Sequence, residues 1–310
     1  MQKKLWLYQH NWMSEASKAT RSSQWRSYIS FCEEFGINPP LPASLETILL
    51  YVTHLAERLK YRSIKAYLGA VWILHDINGV PHIDPLVFEL DMTLKGIRRT
   101  LGDLVLQAPP ARLGDLLDIY STLDMRLSED VAFWLVILLC FRGLLRKSNV
   151  VEKGLAVLCD DVQWELWGVS VSVRRTKTIC YGERVLFLPF IFIPRSIYCI
   201  GYYVSRLACL VPYPSGQSQL VTYVKGGRLV RGSYSWYSKR LTTVCKVLRL
   251  PRLTSHSMRR GGASMLAENG VGLLDIRNLG DWRSMSVLLY LTRTRESRVE
   301  LDRRLSKLFC

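Results

Sequence analysis

The sequence has no apolar run long enough to cross a bilayer. Residues 131–141 form an apolar stretch of eleven before Arg142, whereas a spanning helix needs about 20. The stretch 185–204 is broken by Pro189, Pro194 and Arg195. The opening residues MQKKLWLYQHNW lack the apolar centre and small-residue cleavage site of a secretory signal. The expectation is therefore a protein neither secreted nor membrane-bound, in the nucleus if the host is eukaryotic and in the cytoplasm otherwise. Eight cysteines (32, 140, 159, 180, 199, 209, 245, 310) form no CxxC pair and no zinc-ligand spacing. That pattern points to free thiols in a reducing compartment rather than a disulfide scaffold or a zinc site. Also missing are a Walker motif, a GxGxxG after a strand, an HExxH and an acidic cluster for two-metal catalysis. No metal and no small-molecule cofactor is expected. There is no low-complexity tract or internal repeat, and 49% hydrophobic residues argue against disorder.

What the chain has in excess is positive charge. Its 42 Lys and Arg against 26 Asp and Glu give a formal net charge of +16, which implies a polyanionic partner. The excess is uneven: residues 1–110 hold 12 basic and 10 acidic side chains, and residues 111–310 hold 30 and 16. A 200-residue segment carrying most of that charge repels itself unless something neutralises it, and nucleic acid does so.

Residues 1–102 read as a bundle of four helices. Trp25, Tyr28, Ile29, Cys32 and Phe35 recur at helical spacing before the stop Asn38-Pro39-Pro40. Ser44 is a plausible N-cap for a second helix with Leu45, Ile48, Leu49, Val52 and Leu55 on one face. A third runs over about 62–78 and ends at Gly79, and Asp84-Pro85 is expected to open a fourth that ends at Gly102. The stretch GDLVLQAPPARL has no clear period and reads as a linker, so the expected domains are 1–106 and 113–310. In the second, helices are expected near 113–123, 128–144, 196–210, 234–248, 256–269 and 272–279, with a short one carrying Tyr290. The second of these is apolar almost all round and therefore central. Alternation at Val169, Val171 and Val173, then a run from Arg184 to Phe190, predicts an antiparallel hairpin with its tip near 176–182. The glycine pairs at 226–227 and 261–262 read as a turn and a close helix contact. The fold class is mainly α with a small antiparallel β-sheet.

One set of side chains is hard to assign to a core: Arg146 after the central helix, Lys177 on the hairpin tip, His256 and Arg259 in SHSMRRGG, Trp282 in GDWRS and Tyr290 in LLYLTR. His256 and Arg259 are three apart, so a helix presents both on one face. Cations converging without carboxylates are costly to bury. Alone, each of these residues has an ordinary structural role.

In this order the residues resemble the tyrosine recombinase (phage integrase) family, which includes the Xer and Cre recombinases. The stretch HSMRRGGASMLAENGVGLLDIRNLGDWRSMSVLLYL is similar to the family's His-x-x-Arg, His-or-Trp and Tyr boxes, with Trp in the middle as in Cre. FRGLLRKSNV resembles the box of the first family arginine, RTKT the hairpin lysine, and YRSIKAYLGAVWILHDINGVP the DNA-contacting helix of the amino-terminal domain. Two departures stand out. Asn149 occupies the place, three residues after the first arginine, where the family usually has an acid. The spacing from Trp282 to Tyr290 is eight residues instead of the nine of Cre, as in recombinases of eukaryotic mobile elements.

The resemblance implies a helical core-binding (SAM-like) DNA-binding domain followed by an α/β DNA breaking-rejoining catalytic domain. It implies a site-specific recombinase or integrase acting on double-stranded DNA through a 3′-phosphotyrosyl intermediate, without metal or ATP. Tyr290 would be the nucleophile, Arg146, Arg259 and His256 the phosphate ligands, Lys177 the general acid and Trp282 an added donor. The chemistry suits these types. Planar guanidinium forks match the charge that grows on the non-bridging oxygens, and a leaving 5′ alkoxide needs a proton that a lysine in a cationic site can give. Alternatives are a domesticated DNA-binding protein that keeps the fold without the chemistry, and a topoisomerase of the same chemical type. DNA contacts of the first domain are expected from Thr20, Arg21 and Gln24 on the first helix and Arg62, Ser63 and Lys65 on the third, all off the apolar stripes. The family implies a homotetramer on DNA. An apolar stripe of Val299, Leu301, Leu305 and Leu308 is expected to make a terminal helix that docks on a neighbouring subunit.

Overall fold

The computed structural model describes residues 4, 5, 8, 11–104, 107–152 and 154–291; the expected docking helix of the tail lies outside them. The chain divides into two compact units, Met1–Leu106 and Gln107–Cys310.

The first unit holds helices α1 (Glu15–Glu34), α2 (Leu45–Ala56), α3 (Tyr61–Asn78) and α4 (Phe88–Leu101). Ser44 caps α2 by accepting from the Thr47 amide, and Gly79 ends α3 in the left-handed region at φ 65°, as its missing Cβ allows. The apolar stripes meet in a core of Tyr28, Phe31, Ile48, Tyr51, Val52, Ile64, Leu68 and Leu90. The fourth helix starts later than its proline signal suggests. Asp84 and Pro85 instead form a turn in which the Asp84 carboxylate accepts from the Leu86 amide at 2.8 Å, and the helix begins after the Val87 cap. An Asx turn competes with an N-cap for the same side-chain oxygen, and here the turn wins.

The second unit is built around α6 (Ser128–Phe141), whose residues 131–141 are all buried. Around it lie α5 (Leu113–Ser121), the single turn α7 (Ser148–Val151), α8 (Ile200–Leu210), α9 (Tyr234–Val247), α10 (Ser255–Glu268) and α11 (Leu273–Leu279). The hairpin of β2 (Gly168–Val173) and β3 (Leu186–Ile191) gains a third strand that the sequence pattern missed, β1 (Val162–Glu165), in the antiparallel order β1-β2-β3. A second hairpin pairs β4 (Thr222–Lys225) with β5 (Arg228–Arg231) across Gly226 and Gly227, both at positive φ. These four-residue strands are too short to alternate visibly.

The other glycine pair explains how α10 reaches the centre. A Cβ on Gly262 would sit 1.9 Å from the Phe141 carbonyl, and one on Gly261 would sit 2.0 Å from the Ala111 carbonyl. Only glycine lets α10 approach the end of α6 so closely. Part of the stretch read as a linker is also fastened to α10: the Ala111 amide donates to the Ser257 carbonyl at 2.9 Å, and Arg260 donates to the Ala108 carbonyl at 2.6 Å.

Candidate active site

Chain geometry at two points aims the site. After α6 the backbone turns through Leu144, a buried residue at φ 48°, and before Trp282 it turns through Asp281 at φ 52°. Side chains with a Cβ seldom adopt this region, and such conformations concentrate at functional sites. Both turns serve Arg259, whose guanidinium donates to the Leu144 carbonyl and to the Gly280 carbonyl.

Arg259 sits on α10 and is 1% exposed. Its guanidinium carbon lies 3.9 Å from the centre of the Trp282 ring and 5.4 Å from that of Tyr290. Among the described residues it makes no ion pair, and its Nε has no hydrogen-bond partner. Burial, and next the Arg146 cation, push its pKa down to about 9, so the folded protein holds this charge at a cost. The Trp282 indole N–H is likewise buried and has no hydrogen-bond partner among the described residues. The Trp282 and Tyr290 rings meet edge to face with centres 5.0 Å apart, a favourable aromatic geometry. An unpartnered N–H on the buried cation and an unpartnered indole N–H beside it make a place suited to an anion.

His256 lies one turn before Arg259, with its ring centre 6.2 Å from that of Tyr290. The residue is open to solvent, but protein atoms crowd the ring. That desolvation, followed by the cations Arg259, Lys147, Arg146 and Arg260, lowers its pKa below the ordinary 6.5 and favours the neutral imidazole. Tyr290 ends a short 3₁₀ helix (Met285–Leu289) and lines a cavity of about 350 Å³ with Thr254, His256 and Arg260. Arg146 stands at the start of the α7 turn, half-buried and without an ion pair among the described residues.

Five of the six catalytic candidates are thus linked by ring contacts or by mutual electrostatic influence. Lys177 is not. It is exposed on the loop between β2 and β3, and its ammonium makes no hydrogen bond or ion pair with the described residues. The loop itself is tied down. Thr176 donates to the Asp281 carboxylate at 2.5 Å, Thr178 donates to the same oxygen, and the Asn149 amide donates to the Arg175 carbonyl at 2.7 Å. The departure at Asn149 therefore has a local reason, since an ionised acid cannot donate to a carbonyl.

Sequence reasoning missed Asp281, which was present in GDWRS but has no function of its own until the fold brings the hairpin to it. It also missed Lys147 and Arg260, adjacent to the residues it named. Lys147 donates to Ser238 at 2.9 Å and lies 3.1 Å from the Tyr234 ring centre. In the first unit, Gln24 is buried at 7% exposure rather than turned outward. Arg21 donates to the Ala66 carbonyl at 3.3 Å, and Arg62 pairs with Asp103 at 2.9 Å. Lys65 and Thr20 are exposed and Ser63 is half-exposed.

No family model and no curated protein matches the sequence. Solved structures do match. The Tn1549 transposon integrase in complex with transposon right end DNA superposes with a TM-score of 0.62 at 15% identity, over 98% of each chain. The fold is that of the tyrosine recombinases. A lambda integrase dimer bound to a core site gives 0.59 at 14% identity, over 95% of this chain and 77% of that one. The XerH site-specific recombinase bound to a palindromic substrate gives 0.56 at 11%, over 90% and 76%. Among the described residues no helix is long and apolar enough to cross a membrane.

Proposed function

We propose that the chain is a site-specific DNA recombinase that cuts and rejoins strands through a 3′-phosphotyrosyl intermediate. The observation that carries this reading is Arg259, a buried cation with no ion pair among the described residues, set over the Trp282 ring and close to the hydroxyl-bearing Tyr290. Such a cation is best explained by an anion that arrives with the substrate.

In this reading a scissile phosphate lies against Arg146, Arg259, His256 and the Trp282 N–H. The Tyr290 hydroxyl oxygen attacks phosphorus as its proton leaves to the neutral His256 imidazole or to water. The new P–O bond to tyrosine replaces the P–O bond to the 5′ oxygen, and Lys177 supplies the proton that turns the departing alkoxide into a 5′ hydroxyl. Charge building on the phosphorane is met by the two guanidinium groups. The linkage to tyrosine keeps the energy of the cleaved bond, so the reverse attack by a 5′ hydroxyl reseals a strand. The first unit would be the core-binding domain, residues 113–310 the catalytic domain, and the working form a tetramer on DNA.

Incubation with nicked duplexes, and in parallel with closed supercoiled plasmids, carrying sequences selected from a random pool tests the reading. A denaturation-resistant protein–DNA adduct followed by rejoined recombinant strands is expected. Binding without adduct would assign the chain to a DNA-binding role, and relaxation of supercoiled DNA without joining of two sites would assign it to a topoisomerase.

A further inference from the structure

Lys177 has the hardest positional task in the proposed reaction and the least structure of its own. Its stem is exposed, and no hydrogen bond from the described residues holds its ammonium. The two residues beside it are held instead, by a single carboxylate 104 positions away in sequence. The Asp281 side chain is 2% exposed. One of its oxygens accepts from both Thr176 and Thr178, and the other pairs with Arg184 at the far end of the loop. The Asp281 carbonyl accepts a further bond from Thr178 at 3.3 Å. Arg283 then donates to the Thr178 carbonyl and pairs with Glu183 at 2.6 Å. Thr176 is buried at 5% exposure. With both flanking hydroxyls turned inward to Asp281, Lys177 stays exposed between them, as Arg175 does just before Thr176.

We propose that Asp281 is a positioning residue for the general acid: it locks the loop so that the Lys177 ammonium is presented beside the residue that follows it, Trp282. This inference rests on the recombinase reading. Its logic is mechanical. Asp281 and Trp282 are adjacent in the chain, so the loop carrying the proton donor and the indole facing the phosphate are fixed to the same backbone. A displacement of about 1 Å in a reacting group can cost on the order of 100-fold in rate. The charge needed for the clamp is secure. Burial raises the Asp281 pKa, but bonds from Thr176, Thr178 and Arg184 outweigh it, and the net direction is down.

The test compares adduct formation on two nicked substrates, one with the normal 5′ oxygen and one with a 5′-bridging sulfur, whose leaving group needs no proton. Asp281→Asn keeps the shape but loses one acceptor oxygen. It should slow the oxygen substrate by on the order of tenfold or more while leaving the sulfur substrate within about threefold, a signature of lost general-acid help. Thr178→Val should do the same, and Thr178→Ser, which restores the hydroxyl, should recover most of the loss. On the oxygen substrate, Asp281→Asn combined with Lys177→Ala should be no slower than Lys177→Ala alone, because both act through one proton. Should Asp281→Asn fail to fold, the Thr178 pair carries the same comparison. Equal slowing on both substrates, or an additive double variant, would overturn the positioning role while leaving the recombinase reading intact. If the unaltered protein forms no adduct on either substrate, or if Lys177→Ala shows no preference for sulfur, the acid assignment fails and this proposal falls with it.

Discussion

The Arg259 guanidinium stacks 3.9 Å from the centre of the Trp282 ring while two of its nitrogens are held by backbone carbonyls. That arrangement fixes the fork in a plane and leaves the charge uncompensated. Arg259→Met is expected to separate stability from function. It removes a desolvated cation and keeps much of the volume, so the thermal midpoint should change by no more than about 3 °C, the equivalent of roughly 1 kcal/mol in a unit of this size. Adduct formation should fall by on the order of 100-fold or more. Parallel melting curves and trapping assays check both halves.

His256 is expected to titrate below 6.5 in the free protein, because lost hydration and then the surrounding cations oppose its charged form. The sign for stability follows. With the folded pKa lower than the unfolded one, the unfolded state takes up more protons as pH drops below about 7, so stability declines through that window and levels off below the folded pKa. Binding of a phosphate-bearing duplex should raise the His256 midpoint. Resonances of the His256 ring followed across pH with and without DNA report it.

Gly280→Ala is expected to destabilise the second unit by about 1–3 kcal/mol, the usual range for overpacking. A Cβ there would fall 1.6 Å from the Trp282 ring, which has little room to move under Arg259. A lower midpoint in denaturant, with a weaker near-ultraviolet signal from tryptophan, is the expected outcome.

In the first unit, Arg62→Gln with Lys65→Gln should weaken duplex binding and flatten its logarithmic salt slope by about two units. Asp103 pairs with both Arg62 and Arg98, so Asp103→Asn should strengthen binding at low salt by freeing those guanidinium groups. Titrations at several salt concentrations measure both effects.

The five candidates that the structure links, Arg146, His256, Arg259, Trp282 and Tyr290, could be picked out in the sequence because they lie in short local boxes. His256 and Arg259 share a helix face, and Trp282 and Tyr290 follow within one turn-rich segment. The long α6 was legible for a different reason: it is buried on every side and so apolar throughout. What could not be read was whatever depends on a partner far along the chain. Asp281 looks like an ordinary surface acid until β2 and β3 bring Thr176 and Thr178 to it. Asn149 looks like a lost acid until its amide is seen on the Arg175 carbonyl. Gln24 follows a polar spacing but is covered by neighbouring structure. The short strands β1, β4 and β5 carry too few residues to show a period.

The most direct measurement is covalent trapping on a nicked duplex, with the attached nucleotide located by mass spectrometry. The account predicts a 3′-phosphoryl adduct on Tyr290, abolished by Tyr290→Phe while DNA affinity stays within a few-fold of the unaltered protein. A full-strength adduct from Tyr290→Phe, or an adduct mapped to another residue, would contradict it.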